Sequence, residues 1–453
     1  MEVTPFVYGR ALRPTEFFDR QEGLRRLLGR LITGQSTAIV GQPHIGKTSF
    51  LNYLLNDNVR RQVVGDKLDQ NIFSYIDSQM LGHDFNQVAF WKQVLRPMLR
   101  QLASSKKSPQ DSEGQQSPSL SEPAKEQVSI YQAYKTAESN QFGTFTLEQL
   151  FQVIGREGWQ FVLVIDEFDA LLTHPVLNKT EFYGGLRSLA SRCMGFTLII
   201  ASRHSLELLN QETQKINPHG SPYFNVFTEF RLGPLPEIYA NAVIDQAQKR
   251  FDSTDRAFIT KTSGLHPFLL QTASGILWEM HEQGYEGIDR YARAGDEMYR
   301  QTRAHFLDTW SSWGQAERKV ITSIALAQIN GLVGNHTFAW QKFTRDINDY
   351  STELRRLKEA GTVIQTGDGD WKLTQEAFLW VWADRIKTIV REKGDFETWL
   401  CAQEMDGILT KEERQKMSAS AKKISGAIGK GAVTLIESFA KSLASGVAQA
   451  LGM

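Results

Sequence analysis

The chain has 453 residues and almost no cysteine; Cys193 and Cys401 stand far apart and at no metal-ligand spacing. A disulfide scaffold is therefore excluded, and a reducing cytosol fits. Net charge is also missing, because 51 Lys and Arg balance 51 Asp and Glu, so no global basic field draws the chain to nucleic acid. No run of about 18 apolar residues occurs, and the opening MEVTPFVYGRALRP has no basic stretch followed by an apolar one; neither a spanning helix nor a secretion signal is expected. The expectation is a cytoplasmic protein whose membrane contact, where it occurs, is peripheral and at the inner face. A single core seldom grows beyond about 250 residues, so two or three domains are expected.

What is present begins with short apolar runs. STAIVG at 36–41 reads as a buried strand that enters a glycine-containing loop, and TSFLNYLLND after it reads as a helix. Further strands are predicted at NIFSYID (71–77), QFVLVIDE (160–167) and FTLIIASR (196–203), with a fifth at about 226–232. Strands separated by helical stretches require crossover connections, which predicts an α/β core over 1–235 with a parallel sheet and helices on both faces. Residues 104–127 carry Leu120 and Ala124 as almost their only apolar side chains. That is too little to offset the entropy of ordering, so a disordered insertion is predicted there.

After Pro234 the segments NAVIDQAQKRF and PFLLQTASGILWEMHEQ predict an amphipathic helical lid over 236–310. Over 311–390, helices followed by QTGDGDWKL, whose Gly-Asp-Gly turn joins two short strands, predict a winged-helix domain. Residues 391–453 form a tail that ends in an amphipathic helix. Ile424, Ile428, Leu435, Phe439, Leu443 and Val447 fall on one stripe, and Lys423, Lys430 and Lys441 fall mostly opposite. One helix over 422–451 would be about 45 Å long. It suits an anionic lipid surface and equally suits docking on its own chain or on a partner subunit.

GQPHIGKT at 41–48 satisfies G-x-x-x-x-G-K-[ST]. In such a loop, glycines let backbone N–H groups turn inward around phosphate oxygens at a helix N-terminus. Gly41, Gln42, Pro43, His44, Ile45, Gly46, Lys47, Thr48 and Ser49 are thus the expected binding residues for ATP or ADP with Mg2+. Lys47 would reach the β- and γ-phosphates, and Thr48 and Asp166 would hold magnesium. Glu167, next in FVLVIDEFD, would polarise the attacking water. Arg203, at the end of the following strand, would touch the γ-phosphate; the plainer alternative is an arginine paired with an acid. His44 reads as a variable loop position whose side chain points away from phosphates.

The order and spacing of FVYGRALRPTEFFDRQEGLRRL, IDEFDALL, ASR, RLGPL and TSGLHPFLLQ, spread over about 5–385, resembles the STAND class of AAA+-related signalling ATPases, notably bacterial members from conflict systems. The resemblance implies a P-loop NTPase sheet of the ASCE type, a helical lid and a winged helix. It implies that Arg20, in FFDRQE, and Pro267, with Gly264 and beside His266, contact the nucleotide region; Asp19 stands where the family has glycine. It further implies a switch in which ADP holds the closed form, ATP and an unnamed trigger open it, and the opened form assembles into a homo-oligomer, with antiviral defence as its setting. A second reading is a DNA-associated AAA+ protein whose winged helix meets duplex through Arg355, Arg356 and Lys358. Glu353 and Glu359 offset two of those three charges, which disfavours it. A third is a nucleotide-binding scaffold without turnover.

Overall fold

The structure, a computed structural model, describes residues 3–17, 20–104, 125–333, 350–367, 369–392, 396–402 and 410–450. It divides into two compact units. One comprises Arg13–Gly41 and Lys47–Arg231; the other comprises Met1–Leu12, Gln42–Gly46 and Leu232–Met453.

The first unit is built on five strands: β1 (Thr37–Val40), β2 (Asn71–Asp77), β3 (Gln160–Asp166), β4 (Phe196–Ser202) and β5 (Thr228–Arg231). They pair in the order β2-β3-β4-β1-β5, and every pairing is parallel. The apolar, largely β-branched or aromatic runs of β3 and β4 are buried almost throughout, as expected of strands covered on both faces. The fifth strand is shorter than the expected 226–232, because only four residues have a β1 partner.

The covering helices are α1 (Gln21–Ile32), α2 (Lys47–Leu55), α3 (Asp57–Val64), α4 (Gln87–Val94), α5 (Arg96–Ser104), α6 (Lys125–Ser139), α7 (Thr144–Arg156), α8 (Thr180–Arg192) and α9 (Leu206–Gln214). Helix α1 shows why such segments fold: Leu24, Leu27, Leu28 and Leu31 recur at helical spacing, and all four are buried. An aromatic cluster of Phe90, Trp91, Phe151, Phe161 and Phe196 fills the core on one side of the sheet, with Phe151 and Phe196 ring centres 4.6 Å apart. Of the expected disordered insertion at 104–127, Ser104 closes α5 and Lys125 opens α6, so its margins are helical. Residues 105–124 lie outside the described residues.

The second unit is mostly helical, with α10 (Glu237–Ile244), α11 (Ser253–Ser263), α12 (Pro267–Glu282), α13 (Gly287–Ser312), α14 (Gln315–Val333) and α15 (Ser351–Glu359). An antiparallel hairpin of β6 (Val363–Gln365) and β7 (Trp371–Leu373) follows, then α16 (Glu376–Glu392), α17 (Phe396–Ala402), α18 (Lys411–Ala427) and α19 (Ala432–Ala450). The expected helix through NAVIDQAQKRF stops at Ile244 and continues as a 3-10 turn, Asp245–Arg250, interrupted at Gln248 with φ of 54°. Asp255 is a buried hub of the α10–α13 region: Tyr291 donates to it at 3.1 Å, His281 lies at 3.0 Å and Arg290 at 3.7 Å. Of the expected winged-helix domain, residues 334–349 and Asp368 lie outside the described residues; α14, α15 and the hairpin are described.

The tail differs from the single helix expected. Gly429 and Gly431, with φ of 46° and 74°, break it between α18 and α19, because left-handed backbone cannot continue a right-handed helix. Asp384 of α16 accepts the Ala432 N–H at 3.1 Å and the Tyr299 hydroxyl at 2.5 Å, which pins the start of α19. Ile424, Ile428, Leu435 and Leu443 are buried in the unit's one continuous core, and Phe439 packs between Phe258 and Trp380. Helix α13 meets α19 so closely that a Cβ at Gly295 would lie 2.5 Å from Ile436 Cγ2. The side chain of Val447 is outside the described residues. Among the described residues, no helix is long and apolar enough to cross a membrane.

Candidate nucleotide-binding site

In the sheet unit, the carboxyl ends of β1 and β3 bring the predicted polar residues together, as parallel sheets do. Thr48, in the first turn of α2, donates to Asp166 Oδ2 at 2.7 Å. The Glu167 N–H donates to Asp166 Oδ1 at 2.9 Å, and the Tyr75 hydroxyl donates to Oδ2 at 3.1 Å. Lys47 Nζ donates to the Gly41 carbonyl at 3.1 Å, and the Gly41 N–H donates to the Ser202 carbonyl at 3.1 Å. Gly46 has φ of 96°, so a side chain there would be strained. Ser49 is buried on α2.

Charge is concentrated at this end. Burial lowers the Lys47 pKa, opposed by Glu167, Asp169 and Asp166. Burial raises that of Glu167, opposed by Lys47. Glu167 also has φ of 47°, an uncommon left-handed conformation for a residue with a side chain. Thr48 and Asp166 supply hard oxygen donors a hydrogen bond apart. That fits Mg2+, which is usually held by one or two carboxylates together with phosphate oxygens and water.

Arg203 is held by Asp169, which accepts from its Nε and, through Oδ1, from its backbone N–H at 3.1 Å and from Ser202 Oγ at 3.0 Å. Burial pushes the Asp169 pKa up, but Arg203 more than offsets this and the net shift is down. Of the two sequence expectations for Arg203, this is the pairing with an acid. Neither Asp169 nor Tyr75 was singled out in the sequence. Asp169 follows Asp166 by three residues and returns on the 3-10 turn Phe168–Thr173. Tyr75 carries no motif; the register Asp77↔Asp166 sets it diagonally from Asp166 on one sheet face. Arg20 stands immediately before α1 with φ of 75°.

In the helical unit, loop residues Gln42–Gly46 have neighbours of their own. Gln42 Nε2 donates to Thr362 Oγ1, just before the hairpin, and both residues are buried. Ile45 is fully buried, and its N–H donates to the Gln42 carbonyl at 3.3 Å; Pro43 between them is half-buried. The His44 ring, with backbone φ of 58°, lies 4.9 Å from Phe268 and 5.5 Å from His305. His305 lies 5.0 Å from the buried His266. Burial, reinforced by His266 and His44, holds the His305 pKa well below its ordinary value. Gly264 caps α11 with φ of 56°, and a Cβ there would meet Thr374 Oγ1 and Gln375 Cγ at 2.8 Å. Pro267 opens α12, where its missing N–H costs nothing.

The order β2-β3-β4-β1-β5, with one strand between the P-loop strand and the acidic one, together with α2 opening at Lys47, is the ASCE-type P-loop NTPase fold. No protein-family model matches the chain, and no curated protein sequence is similar to it. Among solved structures, it is similar to a Walker-type ATPase of Pyrococcus abyssi, at 14% identity and TM-score 0.48, over 82% of this chain and 97% of that one. It is similar to the ORC2 protein of Aeropyrum pernix in ADPNP-ADP complexes, at 14% identity and TM-score 0.43, over 86% and 97%. A third is a Signal Transduction ATPase with Numerous Domains carrying a tetratricopeptide repeat sensor, from Pyrococcus horikoshii, at 14% identity and TM-score 0.34, over 93% and 50%. These likenesses carry no function to this chain.

Proposed function

We propose that the protein is an ATP-binding and ATP-hydrolysing signal-transduction switch. The observation that supports it best is the side-chain partnering of the P-loop itself: Gln42 with Thr362, and His44 with Phe268 and His305. A shift of the loop on phosphate binding would reach the lid and the hairpin elements of the proposed winged helix through these contacts. Nucleotide drives a switch only if it binds the two states with different free energy. These contacts are a source of that difference.

In the chemistry proposed, backbone N–H groups of 41–49 cradle the phosphates and Lys47 neutralises β- and γ-oxygens. Thr48 and Asp166 would hold magnesium, which when bound would supply charge to offset that developing on the phosphates. Glu167 takes the proton side of the attacking water. Arg203, steadied by Asp169, adds positive charge at the end of β4. Arg20, Pro267 and Gly264 are assigned to the nucleotide region through the STAND resemblance.

That resemblance extends the proposal to homo-oligomerisation on activation and to antiviral defence in the cytoplasm, and the amphipathic pattern of the tail extends it to release of the tail as an effector. A membrane contact through 422–451 would need the apolar stripe to leave its core first. The winged-helix DNA reading stays second, on the charge balance of α15. Phosphate release from wild type and from Glu167→Gln, with mass photometry in ADP, ATP and a non-hydrolysable analogue, tests the reading. Equal near-zero release means a scaffold, and a mass indifferent to nucleotide removes the assembly switch. Salt-dependent duplex binding in its place favours the DNA-associated reading.

A further inference from the structure

We infer that Tyr75 is a positioning residue for Mg2+-dependent nucleotide binding, fixing the orientation of the Asp166 carboxylate through its hydroxyl. The inference rests on the ATPase reading above. Tyr75 lies on β2, the edge strand beside β3, and its register places it one diagonal step from Asp166 on the same face of the sheet. A tyrosine is long enough to cross that step, and its hydroxyl reaches Oδ2 at 3.1 Å.

The carboxylate is thus held from three directions: by Thr48 and Tyr75 on Oδ2, and by the Glu167 N–H on Oδ1. These three donors are not equivalent. Thr48 is itself assigned to the cation, and the Glu167 N–H holds only the other oxygen. Tyr75 alone of the three is a neutral side-chain donor that is not itself assigned to the cation. Groups of this kind, which orient a metal-binding side chain without touching the metal, typically change metal affinity by about 10–100-fold when removed.

The placement also explains why an edge strand carries a large polar aromatic here. Tyr75 is 39% exposed, and its ring walls a groove of about 520 Å³ shared with Arg60, Asn71 and Phe73. Arg60 lies over the Phe73 ring at 4.0 Å and donates to the Leu54 carbonyl at 2.8 Å. The ring of Tyr75 has solvent on its outer side, so deleting its hydroxyl removes one hydrogen bond and leaves the core packing unchanged.

The test uses the full chain with Tyr75→Phe and a fluorescent ATP analogue, titrated with Mg2+ and repeated in chelator. The expected result is a rise of about tenfold in the Mg2+ concentration for half-maximal binding. Mg2+-free nucleotide affinity and melting temperature should stay unchanged. A Mg2+ midpoint equal to wild type overturns the role of Tyr75 alone. A parallel loss of Mg2+-free affinity also overturns it, since that marks a purely structural side chain. A wild-type protein that binds no nucleotide overturns both this inference and the ATPase reading. Tyr75→Leu, which likewise has no side-chain donor, gives the same comparison if Tyr75→Phe does not fold.

Discussion

Ending the chain after residue 410 would remove α18 and α19, and the structure sets the size of the effect. Met417, Ile424, Ile428, Leu435, Ile436 and Leu443 are each at most 5% exposed. At about 1.5–3 kcal/mol per buried side chain, the six amount to about 9–18 kcal/mol as an upper bound. A domain's whole stability is about 5–15 kcal/mol. The truncated chain should therefore not keep its helical unit folded. A point variant scales the claim down: Ile436→Ala, which empties the space against Gly295, should cost about 2–4 kcal/mol. Differential scanning calorimetry with hydrogen exchange of α13 and α16 measures both variants. A truncated protein with wild-type melting and unaltered protection of α13 and α16 would refute the reasoning. The same arithmetic bears on tail release. Undocking α19 alone exposes Leu435, Ile436 and Leu443, at about 4.5–9 kcal/mol, whereas a nucleotide-to-site coupling is typically about 1–3 kcal/mol. On the tail-release proposal, nucleotide exchange by itself would not free α19, and a second binding event would have to contribute.

Other consequences are separable. Gln42→Ala and Thr362→Val should each alter ADP affinity, and a double-mutant cycle between them should give a coupling of about 1 kcal/mol by calorimetry; a coupling of zero removes Thr362 as the partner of the loop. Asp169→Ala removes the carboxylate that holds the Arg203 Nε and backbone N–H and should lower ATP hydrolysis at least about tenfold while nucleotide binding persists, measured by phosphate release; wild-type turnover would show that the pair has no role there. His305 is neutral in the fold because its pKa is depressed, so the unfolded chain binds the extra proton, and stability must fall as pH drops below about 6.5. Melting curves of His305→Phe should lose part of that dependence, and an unchanged pH profile would contradict it. Asp255→Ala leaves Arg290 and His281 without their buried carboxylate and should cost about 3–5 kcal/mol in chemical denaturation; a loss under 1 kcal/mol would mean that the hub is solvated.

Much was legible along the chain because it is local. The runs at 71–77, 160–167 and 196–203 became β2, β3 and β4 nearly residue for residue, since β3 and β4, buried on both faces, are apolar almost throughout and β2, at the edge, alternates buried with more exposed residues. The P-loop pattern was equally legible, because phosphate binding by backbone demands glycine at fixed offsets. The tail was read correctly as amphipathic and wrongly as one helix. Its stripe fixes which side faces inward, but Gly429 and Gly431 are strong breakers only when a partner such as Asp384 captures the freed N–H.

The amino-acid sequence by itself determined that a P-loop motif, a buried acidic strand and an apolar helical stripe exist, because each is a matter of composition and period within a dozen residues. Only the tertiary structure decided what they meet. Asp169 turns back to Arg203, Tyr75 crosses from an edge strand to Asp166, Gln42 finds Thr362, and the stripe of α19 is taken up by α13 and α16. Those pairings join residues dozens to hundreds of positions apart. They are fixed by strand order, register and close packing, which no local window contains.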